Sequence, residues 1–152
     1  MRIYLARHGE ALTVQRDPEK GLSDNGRKQV SHVAGILKQI GANVDRVIHS
    51  GKTRALQTAE ILAQSVMREV ELETASDMNP TDPVEPWVVR LSALDQDTML
   101  VGHLPFMSNL VSRLVSGDDV SGLVAFPAGT VVCLERSDIS GWHVAAMVPP
   151  TL

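Results

Sequence analysis

Apolar positions along this chain follow two rhythms. RIYLA, residues 2–6, is a short and mostly apolar β-prone run, the pattern of a strand buried in a parallel sheet. A polar stretch, Glu10 to Gly21, comes next. The rhythm then turns helical: Val30, Val33, Ile36, Leu37 and Ile40 share a face, Ser23 is placed to cap the helix and Gly41 to stop it. VDRVIHS predicts a second strand, and GKTRALQTAEILAQSV a second helix with Ala55, Leu56, Ala59, Leu62 and Ala63 on one side. REVELET predicts a short strand. SDMNPTDPVEP, with its three prolines, predicts a loop and the natural insertion point of the fold. Pro86 can open a helix over PWVVRLSALD. DTMLVGH is a third strong strand, and it ends, like the first, at a histidine. LPFMSNLVSRLVSG predicts a helix with Pro105 near its start and Gly117 past its end, and TVVCLER and WHVAAMV, joined by SDISG, predict a closing hairpin.

Strands alternating with helices imply an α/β fold, a three-layer α/β/α sandwich around a mostly parallel central sheet. The length, 152 residues, predicts a single domain over 1–152 with a core that needs no disulfide or metal. A net charge of −4 gives no global field for nucleic acid or anionic membrane, so neither is an expected partner. Cys133 is the only cysteine and reads as a small buried apolar residue; together with the lack of a bilayer-length apolar run or a signal-peptide pattern, it predicts a cytoplasmic location.

Ligand sites of such sheets lie beyond the carboxyl ends of the strands. The reactive residues cluster in those places: Arg7 and His8 after the first strand, Ser50 to Arg54 after the second, His103 after the third strong one. Arginine forks and helix N-termini suit a multiply charged oxyanion such as phosphate. Gly9 is expected to let the ligand approach the backbone. His32, His49 and His143 lack such company and read as surface or packing residues.

LARHGEA resembles the signature of the histidine phosphatase superfamily, the group that includes the cofactor-dependent phosphoglycerate mutases. LSDNGRKQ, HSGKTRALQTAEIL and LVGHLP resemble three further segments of that family, in the family's order, so that the likeness runs from Arg7 to Pro105. The resemblance implies a phosphoglycerate mutase-like fold, His8 as the nucleophile that takes up the phosphoryl group, and Arg7, Arg54 and His103 as the phosphate pocket. It implies no cofactor and no metal. Many members carry a general acid in the middle segment or directly after the second histidine. Here Leu104 follows His103, which leaves Asp77 and Asp82 as candidates, with Asp17 and Glu10 as outsiders near the nucleophile loop.

The short span from Arg54 to His103 leaves little chain for a lid and resembles the short SixA-type phosphohistidine phosphatases. In that subgroup an Arg-Pro often precedes the Leu-Ser/Thr; here Lys20 and Gly21 stand there, and Lys20 is expected to supply the positive charge. The expected partner is a phosphohistidine-bearing protein domain, as in a phosphorelay or phosphotransfer system, with small phosphomonoesters as the alternative substrates and a non-catalytic phosphate-binding module as a further alternative. A P-loop reading of Gly51-Lys52-Thr53 fails because Arg46 stands where the loop's first glycine is required. The histidines show no metal-ligand spacing.

Overall fold

The computed structural model describes residues 1–118, 122–138 and 141–151. In chain order the elements are β1 (Arg2–Arg7), α1 (Asp24–Gln39), β2 (Arg46–His49), α2 (Thr53–Val66), β3 (Leu72–Thr74), α3 (Glu85–Ala93), β4 (Thr98–Gly102), α4 (Phe106–Ser116), β5 (Val131–Ser137) and β6 (Gly141–Val148). They build one six-stranded sheet in the order β3-β2-β4-β1-β5-β6. β1, β2, β3 and β4 pair in parallel, whereas β5 runs antiparallel to β1 and β6 antiparallel to β5. The sheet is thus mostly parallel, with the hairpin as its antiparallel edge. The SDISG turn includes 139–140, which lie outside the described residues.

Alternation along the strands sorts the core into two halves. Tyr4, Ala6, Val47, Met99 and Val101 point to one face and meet Val30, Val33 and Leu37 of α1 and Ala59, Leu62 and Ala63 of α2. Ile3, Leu5, Ile48 and Leu100 point to the other and meet Trp87 and Leu91 of α3 and Phe106 and Leu110 of α4. This is the three-layer α/β/α arrangement, and period-two strands buried on both faces are its direct cause.

α1 starts where its cap predicts: the Ser23 side chain accepts from the Gly26 N–H at 2.9 Å. It ends one residue before Ile40, which is 56% exposed rather than on the apolar face. α2 begins later than expected. Lys52 caps it, so Ser50 and Gly51 form a turn and Arg54 lies in the first helical turn. Its apolar face is made by the small residues Ala55, Ala59 and Ala63 with Leu62, while Leu56 is half-buried. Gly117, with φ of 80°, closes α4 in the left-handed conformation that favours glycine. Among the described residues no helix is long and apolar enough to cross a membrane.

Candidate active site

Three adjacent central strands, β2, β4 and β1, end at one edge of the sheet, and each delivers a polar side chain there. β1 ends in Arg7 and passes directly to His8, whose backbone N–H donates to the Gly102 carbonyl at 2.9 Å. That bond sets the loop after β1 beside the end of β4, where His103 follows. The two imidazole rings lie 5.1 Å apart, centroid to centroid, at 52°.

The state of the His8 ring follows from one contact. Its Nδ1 lies 2.7 Å from the Gly9 carbonyl oxygen, which can only accept. Nδ1 therefore carries the proton, and Nε2 keeps its lone pair. Burial pushes the His8 pKa down to about 4; the Gly9 hydrogen bond works against this, while the charges of Arg54, Arg7 and Lys20 add to it. His103 is 1% exposed, and burial, then His8 and the cations Arg54, Lys52 and Arg7, push it down to about 3. Both rings are neutral at pH 7.

Arg7 is anchored as well as charged. Its Nη1 donates to the Phe126 carbonyl at 2.8 Å, and its backbone N–H to the Thr130 carbonyl at 3.0 Å. Its Nε, like Nδ1 of His103, is buried with no hydrogen-bond partner among the described residues. Burial lowers the pKa of Arg7 and of Arg54, yet a guanidinium stays charged across the working pH range. Lys20 is exposed, with φ of 54°, and its charge reaches His8. The structure thus brings Arg7, His8, Arg54 and His103 together, with Lys20 at the rim.

Gly9 has a packing reason that the sequence did not show. Its N–H donates to Thr58 Oγ1 at 3.0 Å, and a Cβ there would meet Val30 Cγ2 at 2.7 Å and the Gly26 carbonyl at 3.3 Å. The missing side chain lets α1 pack against the loop that carries His8. Thr58 in turn donates to the Arg54 carbonyl at 2.8 Å, linking that loop to α2.

The acid candidates are engaged elsewhere. Asp77 Oδ2 lies 2.6 Å from the Arg90 guanidinium, and its Oδ1 accepts from Trp87 Nε1 at 3.1 Å; hydrogen bonding to Arg90 holds its pKa below the usual carboxylate value. Asp82 accepts from the Asn79 N–H at 2.8 Å in its own turn. Asp17 accepts from the Glu19 and Gly21 N–H groups at 3.1 and 2.9 Å and so organises the polar loop. Glu10 accepts from Ser23 and Asn25 at 2.9 and 3.0 Å. Each carboxylate is used by local architecture, and the permanent charges that act on both histidines are the cations Arg54 and Arg7, with Lys20 on His8 and Lys52 on His103.

The contacts of three supports were not foreseen from the sequence. Ser50 Oγ lies 2.6 Å from His103 Nε2. Thr58 holds Gly9. Gln57 Oε1 accepts from the Leu22 N–H at 2.7 Å and ties the polar loop to α2. All three stand in the segment HSGKTRALQTAEIL, which carried the resemblance without showing what each side chain holds. Among the described residues no group of three or more histidine, cysteine, aspartate or glutamate side chains is arranged to hold a metal ion.

A three-layer α/β sheet with a cationic, histidine-bearing cradle at its carboxyl edge defines a protein built to hold an oxyanion there. Residues 3–79 match the sequence model of the histidine phosphatase superfamily, branch 1, and the chain belongs to that superfamily. It is 28% identical over 123 residues to the phosphohistidine phosphatase SixA of Escherichia coli K12, covering 78% of this chain and 76% of that protein. It is 32% identical over 103 residues to the mitochondrial serine/threonine-protein phosphatase Pgam5 of Drosophila ananassae, covering 62% of this chain but only 36% of the length of that relative. In fold it is similar to the protein histidine phosphatase SixA complexed with tungstate, with a TM-score of 0.85 at 23% identity over 99% of this chain and 97% of that one. It is similar too to a phosphoserine phosphatase of Entamoeba histolytica, with a TM-score of 0.71 at 13% identity over 99% and 98%.

Proposed function

We propose that the protein hydrolyses phosphohistidine on a partner protein through a covalent intermediate on His8, without a metal. The observation that carries this reading is the His8 ring: neutral, its Nδ1 proton held by the Gly9 carbonyl, its Nε2 lone pair free among Arg7, Arg54 and Lys20. His8 Nε2 attacks phosphorus as the P–N bond to the substrate imidazole breaks, and the departing imidazole takes its proton from solvent. Water then attacks the phosphorus on His8, releasing inorganic phosphate and restoring the free ring. The guanidinium groups and the His103 Nδ1 position hold the transferring oxygens, so charge stabilisation needs no metal ion.

The carboxylates favour a phosphoramidate over an ester. An alkoxide leaving group depends on a general acid. Imidazole, whose conjugate acid has a pKa of about 6.5, does not. Asp77, Asp82 and Asp17 are bound into local structure, and Leu104 stands after His103. The partner is a phosphohistidine-bearing domain of the phosphorelay or phosphotransfer kind, and the setting cytoplasmic.

The test compares kcat/KM on a phosphohistidine protein with a panel of sugar and aryl phosphates, together with trapping of labelled phosphoenzyme. We expect the phosphohistidine protein to be preferred, label on His8, and no turnover in His8→Ala. Label on another residue, or activity in that variant, overturns the intermediate. A small phosphomonoester turned over faster than every phosphohistidine protein assigns the site to small molecules.

A further inference from the structure

His49 is a second buried histidine that the reaction above does not use. It closes β2, is 4% exposed, and stands directly before Ser50. Its Nδ1 accepts from the Gly51 N–H at 3.0 Å, so that nitrogen carries no proton; Nε2, which does, faces Thr74 Oγ1 on β3 at 3.5 Å. The turn it holds is a constrained one. Gly51 has φ of 87°, and a Cβ there would meet Thr74 Cγ2 at 3.1 Å. Ser50 Oγ accepts from the Lys52 N–H at 3.4 Å and lies 2.6 Å from His103 Nε2. With Lys52 donating to it, the serine hydroxyl is free to give its own hydrogen to His103 Nε2, which puts the ring proton of His103 on Nδ1.

We propose that His49 is a positioning residue for phosphoryl transfer, holding the β2–α2 turn through Gly51 so that Ser50 fixes the orientation and tautomer of His103. The inference rests on the phosphatase reading of the site but adds a residue to it. The ring acts as a hydrogen-bond acceptor, not as a charge. When Nδ1 gains a proton it becomes a donor facing another donor, the Gly51 N–H, and the turn loses its latch. Burial holds the His49 pKa below its ordinary value, which keeps the latch closed at neutral pH; Glu60 on α2 is the charged group that opposes this, β3 offers the Thr74 hydroxyl, and the turn offers the Gly51 N–H.

Two substitutions separate acceptor from bulk. Asparagine at 49 can place Oδ1 near the position of Nδ1 and does not titrate; leucine fills space without accepting. On a phosphohistidine protein at pH 7.5, His49→Leu is expected to lower kcat by about tenfold, the cost of one lost hydrogen bond at a positioned group, with KM little changed. His49→Asn is expected to stay within about twofold of the parent, as a retained acceptor implies, and its kcat profile should show one ionisation fewer on the acid side. The double variant His49→Leu/Ser50→Ala should be no slower than Ser50→Ala, because both act along one chain of contacts. Parental kcat in folded His49→Leu, equal loss in the Leu and Asn variants, or additive losses in the double variant overturns the proposal. If His49→Leu does not fold, the acid limb decides: an unchanged limb in His49→Asn overturns the latch. Parallel His8→Ala and parent assays keep the two readings apart, since a parent inactive on the phosphohistidine protein, or an active His8→Ala, counts against the phosphatase reading and not against His49.

Discussion

Arg54 shows what one side chain contributes at the site. It lies in the first turn of α2, and its charge is the largest of those that depress the His8 pKa. Removing one fork to a transferring phosphoryl group costs on the order of 2–4 kcal/mol of transition-state stabilisation. Arg54→Ala should lower kcat/KM by roughly a hundredfold or more. It should also move the acid limb of the pH–rate profile upward, because losing a neighbouring cation makes it easier for His8 to accept a proton. Steady-state kinetics across pH reads both effects, and an unshifted limb would separate Arg54 from His8. Asp77 makes the opposite case. Asp77→Asn should lower the melting temperature through the lost Arg90 contact while leaving kcat/KM unchanged on phosphohistidine and ester alike; a selective loss on esters would restore it as an acid. The placement of Arg7, His8 and His103 was legible because strand ends are visible in the hydrophobic pattern. The fate of Asp77 was not. Carboxylates in a proline-rich loop look alike until α3 brings Arg90 and Trp87 beside one of them.

At the scale of elements, the junction of β1 with α1 is the tightest fit. A Cβ on Gly26 would lie 2.2 Å from the Glu10 carbonyl oxygen, which is backbone and cannot swing away. Gly26→Ala should therefore destabilise the fold by more than about 1 kcal/mol, as overpacking at a rigid contact does. Activity should fall with it, since Glu10 belongs to the loop that carries His8. Ser23→Ala removes the helix cap and a contact to Glu10, and should cost about 0.5–2 kcal/mol in chemical denaturation with the denaturant slope unchanged. The cap, the helix faces and the hairpin were legible because each has a local signal. The start of α2 was not: Ser50 has the chemistry of a cap, yet its hydroxyl is taken by His103, a residue remote in sequence. The packing role of Gly9 was hidden for a similar reason, since only the folded chain shows that its missing Cβ faces Val30.

The whole molecule feels its buried neutral histidines. His8 and His103 are held at about 4 and about 3 in the folded state, below the 6.5 of the free imidazole. Between those values the unfolded chain binds protons that the folded one refuses, so stability rises with pH across this window. It should be complete above about pH 6.5 and fall progressively towards pH 3, and His8→Gln should flatten part of that slope in melting temperatures measured against pH. Orthovanadate should raise the melting temperature of the parent, because it binds the folded chain alone, and should do so far less in Arg54→Ala.

The order of strands in the sheet has a consequence for how the protein is born. Synthesis delivers Arg7 and His8 well before their neighbours, for Ile3 pairs with Thr98 on one side and Leu134 on the other. The anchors of Arg7, at Phe126 and Thr130, are also made late. A nascent chain that has released only its first half therefore carries the family signature with no neighbours for β1. The burial that depresses the His8 pKa in the folded chain has yet to form around it. The folded surroundings of His8 are therefore assembled only once β4 and the closing hairpin have emerged to flank β1, long after the signature itself.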